Sequence, residues 1–114
     1  FYEDMGVIVR DLKYLARDAA VPVFLLATLK RAAEDRQDHR PRMTDFANTA
    51  ALEEASDVVL LLHRPERYEP GQHEGIMEVI AAKRRGGPTG EATLAFVKHS
   101  GRLEDFKVGT PFDH

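Results

Sequence analysis

The fold class of this chain is decided by residues 21–28, which read Val-Pro-Val-Phe-Leu-Leu-Ala-Thr. The run is continuously apolar but too short for a buried helix, which is typical of a strand covered on both faces in a parallel sheet. Before it, apolar residues recur at helical spacing, so residues 3–19 are predicted to form an amphipathic helix that Pro22 prevents from continuing. A helix followed by a buried strand is half of a β-α-β unit, and we therefore predict an α/β fold.

The rest of the chain predicts one long loop and three further strands. Residues 30–43 are polar and charged without an apolar period, which indicates a mobile loop. Asp45 is placed to cap a short helix that ends near residue 55, and residues 57–63 then predict a second buried strand. Residues 75–83 and 91–98 predict two strands joined as an antiparallel hairpin, and residues 107–114 are expected to form a tail.

Composition indicates a single soluble globular domain of 114 residues. A formal net charge of −3 argues against a generally basic nucleic-acid binder, so any such contact must come from a local patch. The chain has no cysteine, which excludes disulfides, thiolate metal sites and thiol catalysis. The five histidines lack metal-ligand spacing, and no metal site is expected. No apolar stretch is long enough to span a membrane, and a cytoplasmic location is expected.

Residues 83–90 carry the strongest functional signal and read Lys-Arg-Arg-Gly-Gly-Pro-Thr-Gly. Because side chains alternate along a strand, Lys83 and Arg85 should project from one face and Arg84 from the other. Lysine offers a compact charge and arginine a planar array of donors, and the pair suits the charge on a phosphoryl group. The alternative is that these cations only protect a sheet edge or keep the turn solvated. Both interpretations remain open at this point.

The order of the elements resembles the C-terminal half of the RecA-like motor domain in replicative hexameric DNA helicases of the DnaB type. The resemblance covers residues 3–106 and depends on several short motifs in a fixed order. These are Leu-Lys-Tyr-Leu-Ala-Arg at 12–17, Val-Pro-Val at 21–23, Arg-Pro at 40–41, Thr-Asp at 44–45, Leu-Glu-Glu-Ala-Ser-Asp-Val-Val at 52–59, His-Arg at 63–64, and Ala-Lys-Arg-Arg-Gly-Gly-Pro-Thr-Gly at 82–90.

The resemblance implies a mostly parallel RecA-like sheet with a C-terminal antiparallel hairpin. The chain contains no Gly-x-x-x-x-Gly-Lys-Ser/Thr loop, so this RecA-like domain would be partial and inactive alone. ATP and Mg²⁺ would be bound mainly by the other half. Lys83 and Arg85 would be the catalytic residues, reaching in trans a nucleotide on the next copy in a hexameric ring. Single-stranded DNA and further copies of the chain are the implied partners, with primase or a helicase loader as additional ones.

The resemblance also assigns sensing and DNA-binding positions. Thr28 stands where relatives carry a glutamine that senses nucleotide, although a buried strand threonine with a satisfied hydroxyl is the alternative. The DNA-facing residues would be Arg31, Arg36, Arg40, Arg42, Asn48 and Thr49. In the segment at 45–50 the family pattern Asp-Leu-Arg-Glu-Ser-Gly is changed, with Ala47 replacing the arginine and Ala50 the glycine. Alternatively, Asp45 serves only as a helix cap.

Two functions of different class therefore remain open. The first is the trans-acting part of an ATP-dependent DNA helicase. The second is a non-catalytic RecA-like remnant that serves as an interaction module. The substitutions at Thr28, Ala47 and Ala50 favour the second function, whereas the Lys83, Arg84 and Arg85 run favours the first. Arg64 directly follows a predicted buried strand, where a functional role and an exposed salt bridge are both possible.

Overall fold

The computed structural model describes residues 2–46, 49–69, 71 and 74–106. Two α-helices, three short 3-10 helices and four strands alternate along the chain. The α-helices are α1 (Tyr2–Ala19) and α2 (Thr49–Ala55), and the 3-10 helices are Arg31–Asp35, Met43–Asp45 and Pro65–Arg67. The strands are β1 (Val58–His63), β2 (Ile76–Arg84), β3 (Gly90–Val97) and β4 (Arg102–Asp105). The chain is thus an α/β fragment.

The strands form one sheet in the order β1-β2-β3-β4, and every neighbouring pair is antiparallel. The predicted helix at 3–19 is confirmed by α1, and the predicted hairpin at 75–98 is confirmed by β2 and β3. The β2–β3 turn includes Gly86 at φ +79°, a left-handed conformation that favours glycine. The sequence does not predict strand β4, because Arg-Leu-Glu-Asp is short and lacks an apolar face.

The prediction of a mostly parallel core is not met within the described residues. Residues 21–28 form no strand there, and the side chains of Phe24 and Leu26 are 90% and 94% exposed. Along β1 the burial alternates, with Val59 and Leu61 buried and Leu60 exposed. A parallel strand needs neighbouring strands and a covering layer on each face. The described part supplies β1 with one antiparallel neighbour and covers one of its faces.

A β-bulge lies in β2 next to the cationic run. Val59 pairs with Lys83 but Leu60 pairs with Ala81, which leaves Ala82 as the extra residue. A bulge locally increases the twist of a strand and changes the direction of the side chains beside it. In this sheet it lies immediately before Lys83, so the direction of that side chain is set by the irregularity as well as by the simple alternation of a strand.

None of the helices in the described part of the chain is long and apolar enough to cross a membrane.

Candidate functional site

Lys83 and Arg85 converge on the C-terminal end of α2. The Lys83 ammonium donates a hydrogen bond to the carbonyl oxygen of Glu53, and the Arg85 guanidinium donates to the carbonyl oxygen of Glu54 at 3.1 Å. The last carbonyls of a helix have no partner within the helix and carry partial negative charge, so cations bind there favourably. The structure therefore brings together the two cations that the sequence places on one strand face.

Asp57 holds the same site from the start of β1. Its carboxylate accepts two hydrogen bonds of 2.7 Å from Lys13 of α1 and one of 3.0 Å from Arg85. The hydrogen bond from Lys13, reinforced by the charges of Lys13, Arg85 and Lys83, lowers the pKa of Asp57 below its usual value. Asp57 thus ties α1 to the end of β2, and Arg85 has an internal partner that any ligand must replace.

Arg84 lies apart from this site, as the alternation of the strand predicts. Its guanidinium group lies against Gly87 in the β2–β3 turn, where an added Cβ would come within 3.2 Å of the Arg84 Nε atom. Glycine is needed at position 87 because a larger residue would push this side chain aside. Arg84 is therefore an exposed cation of the same strand that does not share the contacts of Lys83 and Arg85.

The predicted DNA-facing arginines fall into two groups. Arg36 and Arg40 are tied to acidic residues: Arg36 binds Asp45, and Arg40 binds both Glu78 of β2 and Glu91 of β3 at 2.8 Å. These contacts join the loop at 30–43 to the sheet. In contrast, Arg31 and Arg42 are exposed and form no ion pair with a described residue.

Asp45 is the most deeply buried charged residue of the described part, at 1% exposure. Its carboxylate accepts both arms of the Arg36 guanidinium, one at 2.7 Å, and the backbone N–H of Arg42 at 2.8 Å. The hydrogen bonds from Arg36 lower the pKa of Asp45, and the charges of Arg36 and Arg42 act in the same direction. Asp45 therefore closes the 3-10 helix Met43–Asp45, and the prediction that it caps the following α-helix is wrong.

Thr28 and Arg31 line one cavity of about 380 Å³ between the start of the loop and the end of β1. Thr28 is exposed, so the alternative of a buried strand threonine is not what the structure describes. Asn48 lies outside the described residues, as does the side chain of Thr49, and their predicted DNA contacts remain predictions.

A stack of three rings joins the loop to the sheet beside that cavity. The rings of His39 and Tyr68 are 4.3 Å apart and parallel within 2°, and the ring of His63 lies 6.1 Å from Tyr68 on a related plane. Burial lowers the pKa of His63, which is 7% exposed, and the nearby Glu78 carboxylate opposes that shift only in part. His63 is therefore a neutral, buried ring rather than a surface cation at neutral pH.

Sequence reasoning missed the acidic partners of these cations and the position of Arg67 in the lining of the same cavity. Nothing in the pattern pairs Arg40 with Glu78 and Glu91, because 38 residues separate Arg40 from Glu78 and the contact is made only after folding. Arg64 forms the salt bridge that was one of its two alternatives, to Glu66 at 3.1 Å, and also lies over the ring of Phe96 at 4.3 Å.

Comparison with solved structures places this arrangement among nucleotide-driven motor domains. One solved structure, whose title describes it as an ATPase domain, matches with a TM-score of 0.86 at 38% identity, over 92% of this chain and 37% of that one. "The Structure Of A DnaB-Like Replicative Helicase And Its Interactions With Primase" matches with a TM-score of 0.86 at 37% identity, over 93% of this chain and 26% of that one. The fold is thus that of part of a helicase ATPase domain.

Sequence comparison identifies the family. Residues 2–105 match the family described as "DnaB-like helicase C terminal domain". The replicative DNA helicase DnaC of Bacillus subtilis is 41% identical over 97 residues, and DnaB of Geobacillus stearothermophilus is equally similar over the same length. Each match covers 84% of this chain and 21% of the relative, so the chain spans about a fifth of their length. The chain belongs to the DnaB-like helicase C-terminal domain family.

Proposed function

We propose that this chain is the C-terminal part of an ATP-dependent replicative DNA helicase motor that acts on a nucleotide held by a neighbouring copy. The observation that carries the proposal is the convergence of Lys83 and Arg85 at one point, with Arg84 apart. An ammonium and a guanidinium side by side match the oxygens of a phosphoryl group in charge and in donor geometry. Their contacts with backbone carbonyls are weaker alternatives that a phosphate can replace.

In this proposal the rest of a RecA-like domain completes the sheet. The exposed apolar side chains of residues 21–28 and of one face of β1, among them Phe24 and Leu60, support it. Further strands beside these segments would cover that surface and make the core mostly parallel. The phosphate-binding loop and the main Mg²⁺ ligands would also lie in that half. ATP supplies the phosphoryl group whose transfer drives movement, while this chain supplies cations that stabilise its charge in a hexameric ring.

Single-stranded DNA is the proposed nucleic-acid partner. Arg31 and Arg42 are the exposed loop cations without ion pairs to described residues, and they are available to phosphates. Arg36 and Arg40 instead hold the loop in place through Asp45, Glu78 and Glu91. Thr28 takes the nucleotide-sensing position. Primase or a helicase loader, a mobile loop at 30–43 and a cytoplasmic location belong to the same proposal.

A non-catalytic interaction module is the second candidate. It is favoured by the internal engagement of Arg36 and Arg40, because two of the four proposed loop cations already have carboxylate partners. The substitutions Ala47 and Ala50 act in the same direction by removing a charge and a glycine from the family's DNA-binding segment. In that case Lys83 and Arg85 would only stabilise the junction of α2 with the sheet.

The isolated 114-residue chain is expected to show no ATPase activity. Its sequence has no phosphate-binding loop, and two cations at a helix end do not hold a nucleotide alone. Isothermal titration with ATP and Mg²⁺ should give no dissociation constant in the micromolar range or tighter. Heat of binding in that range would reveal a nucleotide site within the chain and would contradict the trans arrangement.

The isolated chain is also expected to bind single-stranded DNA weakly and with strong salt dependence. With about three phosphate contacts, the slope of log K against log salt should be about −2. Fluorescence anisotropy of a labelled oligo(dT) at two salt concentrations measures it. Binding that is insensitive to salt, or that depends on base sequence, would contradict a DNA-facing loop of this kind.

A further inference from the structure

The cavity between the start of the loop and the 3-10 helix Pro65–Arg67 is rich in positive charge. Its polar lining comes from two separate segments of the chain, of which only the first was assigned a function above. The residues that matter here are Thr28, Lys30, Arg31, Glu34, Arg64 and Arg67. Four of them are cations and one is an anion, so the cavity has a net positive charge that attracts anions.

Most of this charge is not neutralised within the described part of the chain. Lys30, Arg31 and Arg67 are exposed and form no ion pair with a described residue. Arg64 is half engaged, since it binds Glu66 while its buried Nε–H has no hydrogen-bond partner among the described atoms. A buried donor without a partner costs free energy that a bound acceptor recovers. This lining differs from the neighbouring Arg36 and Arg40, whose charges are matched by carboxylates.

The walls of the cavity are held in position before any ligand arrives. The parallel rings of His39 and Tyr68 join the loop wall to the segment that carries Arg67. Arg40 ties the same loop to β2 and β3. Met77, which is buried, contributes an apolar part of the lining. Charges beside apolar surface act in a lower dielectric and bind an anion more strongly than they would in open water.

We propose that this cavity binds a phosphate group. Arg31 and Arg67 contact it from the two walls as charged donors, and the Thr28 hydroxyl contributes a neutral donor. The phosphate belongs to the backbone of single-stranded DNA or to a nucleotide, and the choice of these two ligands rests on the function proposed above. The anion site itself rests on the cavity alone and does not use Lys83 or Arg85. Arg67 thereby becomes a binding residue that neither the sequence nor the family resemblance assigns.

The test compares Arg67→Ala with Arg67→Lys and with Arg10→Ala in the complete natural chain. Arg10 is an exposed cation of α1 that does not line the cavity, so its loss matches the change in net charge. Three probes are titrated into each variant: labelled oligo(dT), a fluorescent ATP analogue with Mg²⁺, and sodium pyrophosphate. Arg67→Ala should weaken at least one of them about tenfold. Arg67→Lys should restore most of the affinity because it keeps the charge.

The probes also separate the two sources of phosphate. Loss of oligo(dT) affinity, with a salt slope smaller by about one, assigns the site to a DNA backbone phosphate. Loss of affinity for the ATP analogue assigns it to a nucleotide. Pyrophosphate binding that depends on Arg67 supports the site even if the chain binds neither DNA nor ATP, in which case only the helicase function fails. Equal affinities for all probes in Arg67→Ala and Arg10→Ala, or no binding of any probe, would overturn the proposal.

Discussion

Arg85→Ala should lower the ATP turnover of the ring-forming natural protein about 10³-fold, the loss typical of a missing arginine that stabilises a transferring phosphoryl group. The guanidinium acts on charge that develops in the transition state, so its removal should affect turnover far more than nucleotide binding. Steady-state ATP hydrolysis, with nucleotide affinity measured separately, checks both parts of this expectation.

Arg84→Ala provides the matched control for this experiment. Arg84 belongs to the same strand and carries the same charge, but its side chain lies against Gly87 in the turn. Its removal should change turnover little. The contrast separates a specific contact from a general need for positive charge at this end of the sheet.

A mixed ring provides the decisive version of the test. A subunit that lacks Arg85 should silence the nucleotide site on its neighbour, while its own site still binds ATP. The structure also supplies the competing outcome, since Arg85 contacts Asp57 and the end of α2. If Arg85→Ala hydrolysed ATP normally but failed to fold or assemble, the contacts at this point would be structural and the proposed motor role would have to be withdrawn.

Local patterns predict those parts of the fold that depend on local contacts. The helix period indicates α1, and the alternation around a glycine-proline turn indicates β2 and β3, because both signals come from residues near one another in sequence. The apolar run at 21–28 predicts burial on both faces, yet Phe24 and Leu26 are exposed. An apolar run states what a segment requires and does not identify which segments supply it.

The candidate site is predictable to a similar extent. Alternation along a strand places Lys83 and Arg85 together and Arg84 apart, and the structure has the same arrangement. The charges of residues 30–43 look alike in sequence, but folding pairs Arg36 and Arg40 with carboxylates and leaves Arg31 exposed. That division depends on partners distant in sequence, and no local pattern contains it. For the same reason the sequence suggests a helix cap at Asp45, whose partner Arg36 is not visible in the local pattern.

The position of Asp45 makes it the connection between the two segments proposed to face DNA. Its backbone carbonyl accepts a hydrogen bond from the Lys30 N–H at 2.8 Å, and its carboxylate binds Arg36 in the middle of the loop. Leu29 and Phe46 form an isolated β-bridge beside these contacts. One buried carboxylate therefore fixes both ends of the loop at 30–46, and its removal should release them together.

Asp45→Asn should destabilise the protein by about 3 kcal/mol at neutral pH, the order of cost for breaking a buried ion pair by removing one partner. Asparagine keeps one oxygen but presents an N–H₂ group to the Arg36 guanidinium, which leaves a partly buried cation without its counter-ion. Denaturant unfolding of the wild-type and variant chains measures the difference. The exposed Asp18, which pairs only with its neighbour Arg17 at 3.4 Å among the described residues, provides the control, and Asp18→Asn should unfold close to the wild type.

The pH dependence of that difference distinguishes the ion pair from simple packing. The hydrogen bonds from Arg36 hold the pKa of Asp45 below its usual value, so the folded state binds its proton less readily than the unfolded chain does. The stability contributed by the ionised carboxylate is therefore fully present above the unfolded value of about 3.9 and is lost as the pH falls through the lower folded value. The gap between wild type and Asp45→Asn should be widest at neutral pH and shrink on acidification. A gap that stays constant down to the acid unfolding transition would mean that the shape of the side chain, and not its charge, holds the loop.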